Sequence, residues 1–202
     1  QHVTACLNPI WMTKKETARR VRQRIDAVMR WAKAMGYRTG DNPAALEGNL
    51  EYLLPAQRQE VSHHPALAFE DLPSFWTELS AIQTVSADAL RFLILTAARS
   101  GEVRGATWDE IDFEKALWSL PAARMKNAKP HRVPLCEEAM VILEKRRRLS
   151  TCKYIFEGQK PNRPISDMAM LSLMRKRFPE LETVPHGFRS TFRDWAENQS
   201  YP

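Results

Sequence analysis

The chain has 202 residues, 44% of them hydrophobic and 27% charged, enough for one substantial domain or one and a half small ones, and no apolar run approaches the length of a membrane span. Thirty Lys and Arg against 24 Asp and Glu leave a net charge of +6, which favours a polyanionic partner. Cys6, Cys136 and Cys152 are isolated and form no C-x-x-C pair, so they read as reduced thiols rather than as a disulfide framework or a zinc site, and His63-His64 has no neighbouring ligand partner that would make it a metal site.

In chain order, residues 14–36 carry the strongest helical signal: Val21, Ile25, Val28, Ala32 and Met35 recur at helical spacing and give one apolar stripe. Lys14, Lys15, Arg19, Arg20, Arg22 and Arg24 load its first turns with positive charge. Cations sit poorly against the positive end of a helix dipole, a small cost that phosphate contact would offset; singly, each fits a solvated face better. Asn42-Pro43 reads as a cap and first-turn pair for a short helix. Periodicity then disappears, and the expected organisation is a partial helical domain over 1–54, a linker over 55–68 and a second domain over 69–202.

The second domain is expected to open with a helix over 70–82, followed by one over 87–98 capped by Ser86, apolar nearly all round and central. That helix delivers Arg99, and Ser100 is expected to cap a further short helix over 101–107. Leu117-Trp118-Ser119-Leu120 and residues 131–135 read as two strands, with residues 122–130 between them as a basic, exposed hairpin tip. Helices are predicted over 137–148 and after Ser166-Asp167, and a last one starts at Gly187. The fold class is therefore mainly α with a small β-hairpin, an α+β arrangement. His186 and Arg189, three apart on the last helix, share one face of its first turn. An imidazole beside a guanidinium makes an anion site able to move a proton, although such a pair is also common as a solvated surface feature.

Four features follow in order: Ala98-Arg99-Ser100-Gly101-Glu102, then Met125-Lys126, then Pro130-His131-Arg132-Val133-Pro134-Leu135, then His186-Gly187-Phe188-Arg189. Together they resemble the tyrosine recombinases, most closely the integrases of prophages and genomic islands. The likeness extends over residues 95–112, ending in Trp108-Asp109-Glu110-Ile111-Asp112, and over Glu16-Thr17-Ala18 and Asn42-Pro43-Ala44, which look like the later part of a core-binding domain. Any one box is weak; all four in order are specific.

The resemblance implies strand cleavage and rejoining at a specific DNA site through a 3′-phosphotyrosine, with no metal and no cofactor. Such chemistry must stabilise negative charge on the non-bridging phosphate oxygens, a task suited to the bidentate guanidiniums of Arg99 and Arg189. By the same likeness Lys126 is the general acid for the leaving 5′-oxygen, with Lys129 a competing candidate, His186 assists proton transfer, and Glu102 supports the arginines. Lys14, Lys15, Arg19, Arg22, Lys129 and Arg132 are the candidate DNA contacts. The implied partner is a double-stranded attachment site, bound by a tetramer of the full-length protein, with DNA-bending accessory proteins possible and no membrane, in the bacterial cytoplasm at the nucleoid.

The family's nucleophilic tyrosine lies well downstream of the H-x-x-R box, whereas Tyr201 resembles the Tyr-Pro link that precedes the next helix, and Tyr37, Tyr52 and Tyr154 match no nucleophile position. The expectation is therefore that these residues hold no nucleophile and, beginning at Gln1, form a fragment or a truncated relic, inactive alone. Two other readings are a helix-turn-helix regulator using residues 86–107 and a remnant resembling type IB topoisomerases. A regulator has no need of the lysine hairpin or of the H-x-x-R pair.

Overall fold

The computed structural model describes residues 2–57, 66–125 and 127–201. The chain divides into two compact units, residues 1–62 and 63–202. Most of the expected linker, with His63 and His64, lies outside the described residues.

In the first unit α1 (His2–Trp11) packs on α2 (Lys15–Ala34). Leu7, Trp11, Ala18, Leu50 and Leu54 form its core, and the Trp11 indole Nε1 donates to the Pro55 carbonyl at 2.7 Å. The predicted stripe on α2 is only partly covered: Val21 packs on this core, but Val28 and Met35 are exposed, together with Trp31. The reason is length, because ten residues of α1 rise about 15 Å and reach only the first turns of the longer α2. Asn42-Pro43 does not start a helix. The Asn42 Oδ1 instead accepts the Ala44 N–H at 2.9 Å in a side-chain turn, and its amide donates to Asp26. The following segment Leu46–Leu50 is kinked, with Glu47 extended and Gly48 at φ +72°, before the short α3 (Glu51–Leu53).

The second unit is built around α5 (Val85–Thr96), which touches α4 (Leu72–Ser80), α6 (Ser100–Arg104), α7 (Glu137–Leu149), α8 (Ala169–Arg177) and α9 (Gly187–Asn198). Its apolar sequence explains this central place, with Ala87, Ala89, Leu90, Phe92 and Leu93 fully buried. The cap is Thr84 rather than Ser86: the Thr84 hydroxyl accepts the Ala87 N–H at 3.2 Å. Likewise α6 is opened by Arg99 and Glu102 rather than by a Ser100 cap.

Three antiparallel strands flank the helices in the order β1 (Ile111–Asp112), β2 (Leu117–Leu120), β3 (His131–Pro134). Trp118 pairs with Val133 and Leu120 with His131, so Trp118 and Leu120 point inward while Ser119 and Arg132 point out. The β1 strand, two residues long, adds a third strand to the expected hairpin. The Phe92 ring lies 5.2 Å from that of Trp118 and 5.6 Å from that of Phe156, joining α5 to the sheet and to the segment after α7.

Two outcomes follow from this packing. Phe92→Ala should destabilise the second unit by about 3–5 kcal/mol, read from urea unfolding, since the cavity lies between elements that cannot collapse independently. Burial pushes the Cys152 thiol above its ordinary range. Because the thiolate is the nucleophile, iodoacetamide should modify Cys152 more slowly at neutral pH than the exposed Cys6 and Cys136, and its rate should rise with pH. Equal rates at all three sites, by mass spectrometry, would contradict this.

Candidate active site

The last turn of α5 ends at Ala97, which adopts the left-handed conformation at φ 47°, ψ 28°. That turn reverses the chain so that Ala98 is buried and Arg99 emerges in extended backbone. Glu102, in the first turn of α6, then reaches back. Its Oε2 accepts the Arg99 backbone N–H at 2.8 Å and its Oε1 accepts the Arg99 Nη1 at 2.7 Å. The Glu102 side chain is 8% exposed and that of Arg99 44% exposed, so the carboxylate is fixed in the protein while the guanidinium faces solvent.

Arg189 arrives from α9. Phe188 is buried on the Phe75 ring at 5.2 Å, and the buried Thr191 hydroxyl donates to the Leu67 carbonyl at 2.6 Å. These two anchors fix the rotation of the helix and aim the intervening Arg189 at the end of α5, where its Nη1 donates to the Ala97 carbonyl. A cation at the C-terminal end of α5 also meets the negative end of that helix dipole.

The two guanidiniums and Glu102 line one cleft of about 210 Å³. Its other wall comes from the hairpin, through Met125, Asn127 and His131. The sequence reading places His131 in the hairpin motif but gives it no role. Strand alternation adds a signal, since His131 lies on the same side of β3 as the inward Val133. A guanidinium has five N–H donors, so the bonds to Ala97 and Glu102 leave further donors on both arginines for an incoming oxyanion.

The other expected residues are distributed as follows. His186 is exposed at the start of α9, one turn before Arg189 and outside the cleft lining. Lys126 lies outside the described residues, between Met125 and Asn127. Lys129 and Arg132 are exposed on the hairpin and on the outer side of β3. In the first unit Lys14 precedes α2, Lys15 opens it, and Arg19 pairs with Glu16 at 3.8 Å. Arg22 is partly committed to its own unit, donating to the Ala44 carbonyl at 2.9 Å. Tyr201 is 62% exposed, its ring 5.5 Å from that of Trp195. Among the described residues no group of three or more His, Cys, Asp or Glu is placed to hold a metal ion.

Glu102→Ala removes the acceptor for both the backbone and the side chain of Arg99. It should cost about 1–3 kcal/mol in urea unfolding, with Glu102→Gln recovering part of the loss through its remaining oxygen. Equal stability of Glu102→Ala and the parent would show that these bonds are not formed in solution.

Residues 66–202 match the phage integrase family and residues 1–49 match the phage integrase central domain. The chain is 32% identical to prophage integrase IntZ of Escherichia coli K12, covering 98% of this chain and 51% of that protein. It is also 32% identical to the integrase of enterobacteria phage P4, covering 89% and 44%. It thus spans about half the length of the curated relatives it matches. Among solved structures it resembles a lambda integrase tetramer bound to a Holliday junction, with a TM-score of 0.71 at 19% identity, covering 98% of this chain and 60% of that one. It also resembles the Tn1549 transposon integrase in complex with transposon right end DNA, with a TM-score of 0.67 at 16% identity, covering 99% and 73%. The match over residues 66–202, which contain the whole arginine cleft, places this chain in the phage integrase family.

Proposed function

We propose that this chain is part of a site-specific DNA recombinase that integrates or excises a prophage or other mobile element by transesterification. The observation that carries the reading is the convergence of Arg99 and Arg189 on one cleft at the end of α5. Two guanidiniums from different elements, one of them steadied by the nearly buried Glu102, form a site for a tetrahedral phosphate whose negative charge grows as a fifth oxygen approaches.

In the proposed reaction a tyrosine hydroxyl attacks the phosphorus, the bond to the 5′-oxygen breaks, and the phosphate remains on the tyrosine as a 3′-phosphodiester. Lys126 gives its proton to the departing 5′-oxygen, and His186 assists proton transfer. Reversal by a 5′-hydroxyl of another strand rejoins the DNA without an external energy source. The attacking tyrosine in this reaction is none of Tyr37, Tyr52, Tyr154 and Tyr201, and the chemistry requires no metal or cofactor. Lys14, Lys15, Arg19, Arg22, Lys129 and Arg132 would neutralise backbone phosphates around the attachment site. A tetramer on DNA, the arrangement recorded for lambda integrase on a Holliday junction, is the proposed assembly of the full-length protein, with DNA-bending accessory proteins beside it at the nucleoid. A helix-turn-helix regulator fits less well, since α5 is central and α6 is five residues long, too short to serve as a reading helix.

The chain should bind duplex DNA with affinity that falls steeply as salt rises. Arg99→Ala and Arg189→Ala should each weaken binding by about tenfold and flatten the salt slope by about one, and Arg99→Ala should also lower the thermal midpoint, since it leaves the Glu102 Oε1 without its partner. Parent-like affinity in both variants, by fluorescence anisotropy, would remove the cleft from DNA recognition.

A further inference from the structure

A second guanidinium network lies behind the cleft. Arg124 ends the short turn Ala122–Arg124 and immediately precedes Met125, which lines the hairpin wall. Its side chain is only 23% exposed. The Nη1 donates to both carboxylate oxygens of Glu110, and the Nη2 donates to the backbone carbonyl of Glu102 at 2.5 Å. Glu110 is itself held: its side chain is 5% exposed and its Oε2 accepts the Trp118 indole N–H at 3.0 Å.

Gly105 explains how the guanidinium fits. A Cβ at that position would stand 2.9 Å from the Arg124 Nη2 and 3.5 Å from its Cζ, so the planar group lies against bare backbone at the end of α6. One side chain thus bridges the two walls of the cleft. On one side it fixes the backbone of Glu102, whose carboxylate holds Arg99, and on the other it fixes the approach to Met125.

We infer that Arg124 is a positioning residue for the arginine cleft, orienting Arg99 through Glu102 and setting the hairpin wall opposite, with Gly105 providing its seat. It acts through other residues and touches no substrate. Glu110 needs a positive charge beside it, which a lysine could supply. Bridging a carboxylate and a carbonyl in one plane needs a guanidinium. The role in recognition rests on the proposed DNA-binding reading; the positioning of Arg99 does not.

The test uses Arg124→Lys, which keeps the charge beside Glu110, and Gly105→Ala, which keeps Arg124 but occupies its seat. Two readouts are taken on the whole chain: the Arg99 Nε–Hε resonance in the free protein, and affinity for a mixed-sequence DNA duplex in the parent and in Arg99→Ala. Both variants should keep a cooperative thermal transition, shift and broaden the Arg99 resonance, and weaken duplex binding roughly three- to tenfold. In the Arg99→Ala background the further loss should stay within about twofold. An unmoved Arg99 resonance in both variants, or an equal loss of affinity with and without Arg99, overturns the inference. If Arg99→Ala alone leaves affinity unchanged, the DNA-binding reading fails, and the Arg99 resonance still decides whether Arg124 positions it. Should Arg124→Lys not fold, Gly105→Ala decides by the same readouts.

Discussion

The hydrogen bond from the Arg189 guanidinium to the Ala97 carbonyl is the contact on which the site depends. It joins the end of α5 to the first turn of α9, elements brought together across 92 positions of sequence. Ala97 pays a conformational cost for its place, since a left-handed residue with a Cβ costs about 1–2 kcal/mol. A charged hydrogen bond contributes about 1.5–3 kcal/mol, enough to offset it. The favourable end of the α5 dipole adds to the same balance. Strain and its compensation therefore meet at the residue that turns Arg99 into the cleft.

The charge arrangement follows from burial. Glu102 is nearly buried, and a carboxylate withdrawn from water is tolerable only if its oxygens are used. Both are: one takes the Arg99 backbone N–H, which opens α6, and the other takes the guanidinium. The same carboxylate thus caps a helix and restrains a cation. Because Arg99 remains nearly half exposed, an incoming oxyanion can reach its outer donors without first breaking the pair. That is preorganisation in a physical sense, with much of the ordering cost met during folding.

Much of this was legible in the sequence, and for identifiable reasons. Helical spacing located α2 and α7, continuous apolarity marked α5 as central, and alternation located β2 and β3. The support of Arg99 by Glu102 comes from the family likeness, and the contact itself is local, with Glu102 three residues on in the first turn of α6. What the sequence does not show is mostly nonlocal or too short for a period. The two residues of β1 carry no alternation, and α1, with Pro9 inside it, breaks the usual helical pattern. The Arg124–Glu110 pair spans 14 positions and the Arg124–Glu102 bond 22, separations at which no sequence rhythm survives. His131 reads as one more basic residue of the hairpin until the fold turns it toward the arginines. The cap of α5 lies two residues before the expected Ser86 because Thr84 and Ser86 are chemically similar candidates, and only backbone geometry chooses between them.

The precision of the cleft is finally a property of α5, which is fixed at both ends and in its middle. At its start the buried Asp88 gathers Arg91 from the same helix and Lys145 and Arg146 from α7, an acidic group at the positive end of the helix dipole. In its middle Phe92 is wedged between Trp118 and Phe156. At its end Arg189 holds the Ala97 carbonyl. A helix tethered at one end can slide or rotate, and at about 1.5 Å of rise per residue even a fraction of a step would carry Arg99 out of register with Arg189. Tethers at both ends, joined by an aromatic wedge that resists rotation, remove those motions. A merely buried helix needs only the wedge. The charged tethers at its two ends are what a fold requires when the atoms beyond its last turn must stay in place to within a fraction of an ångström.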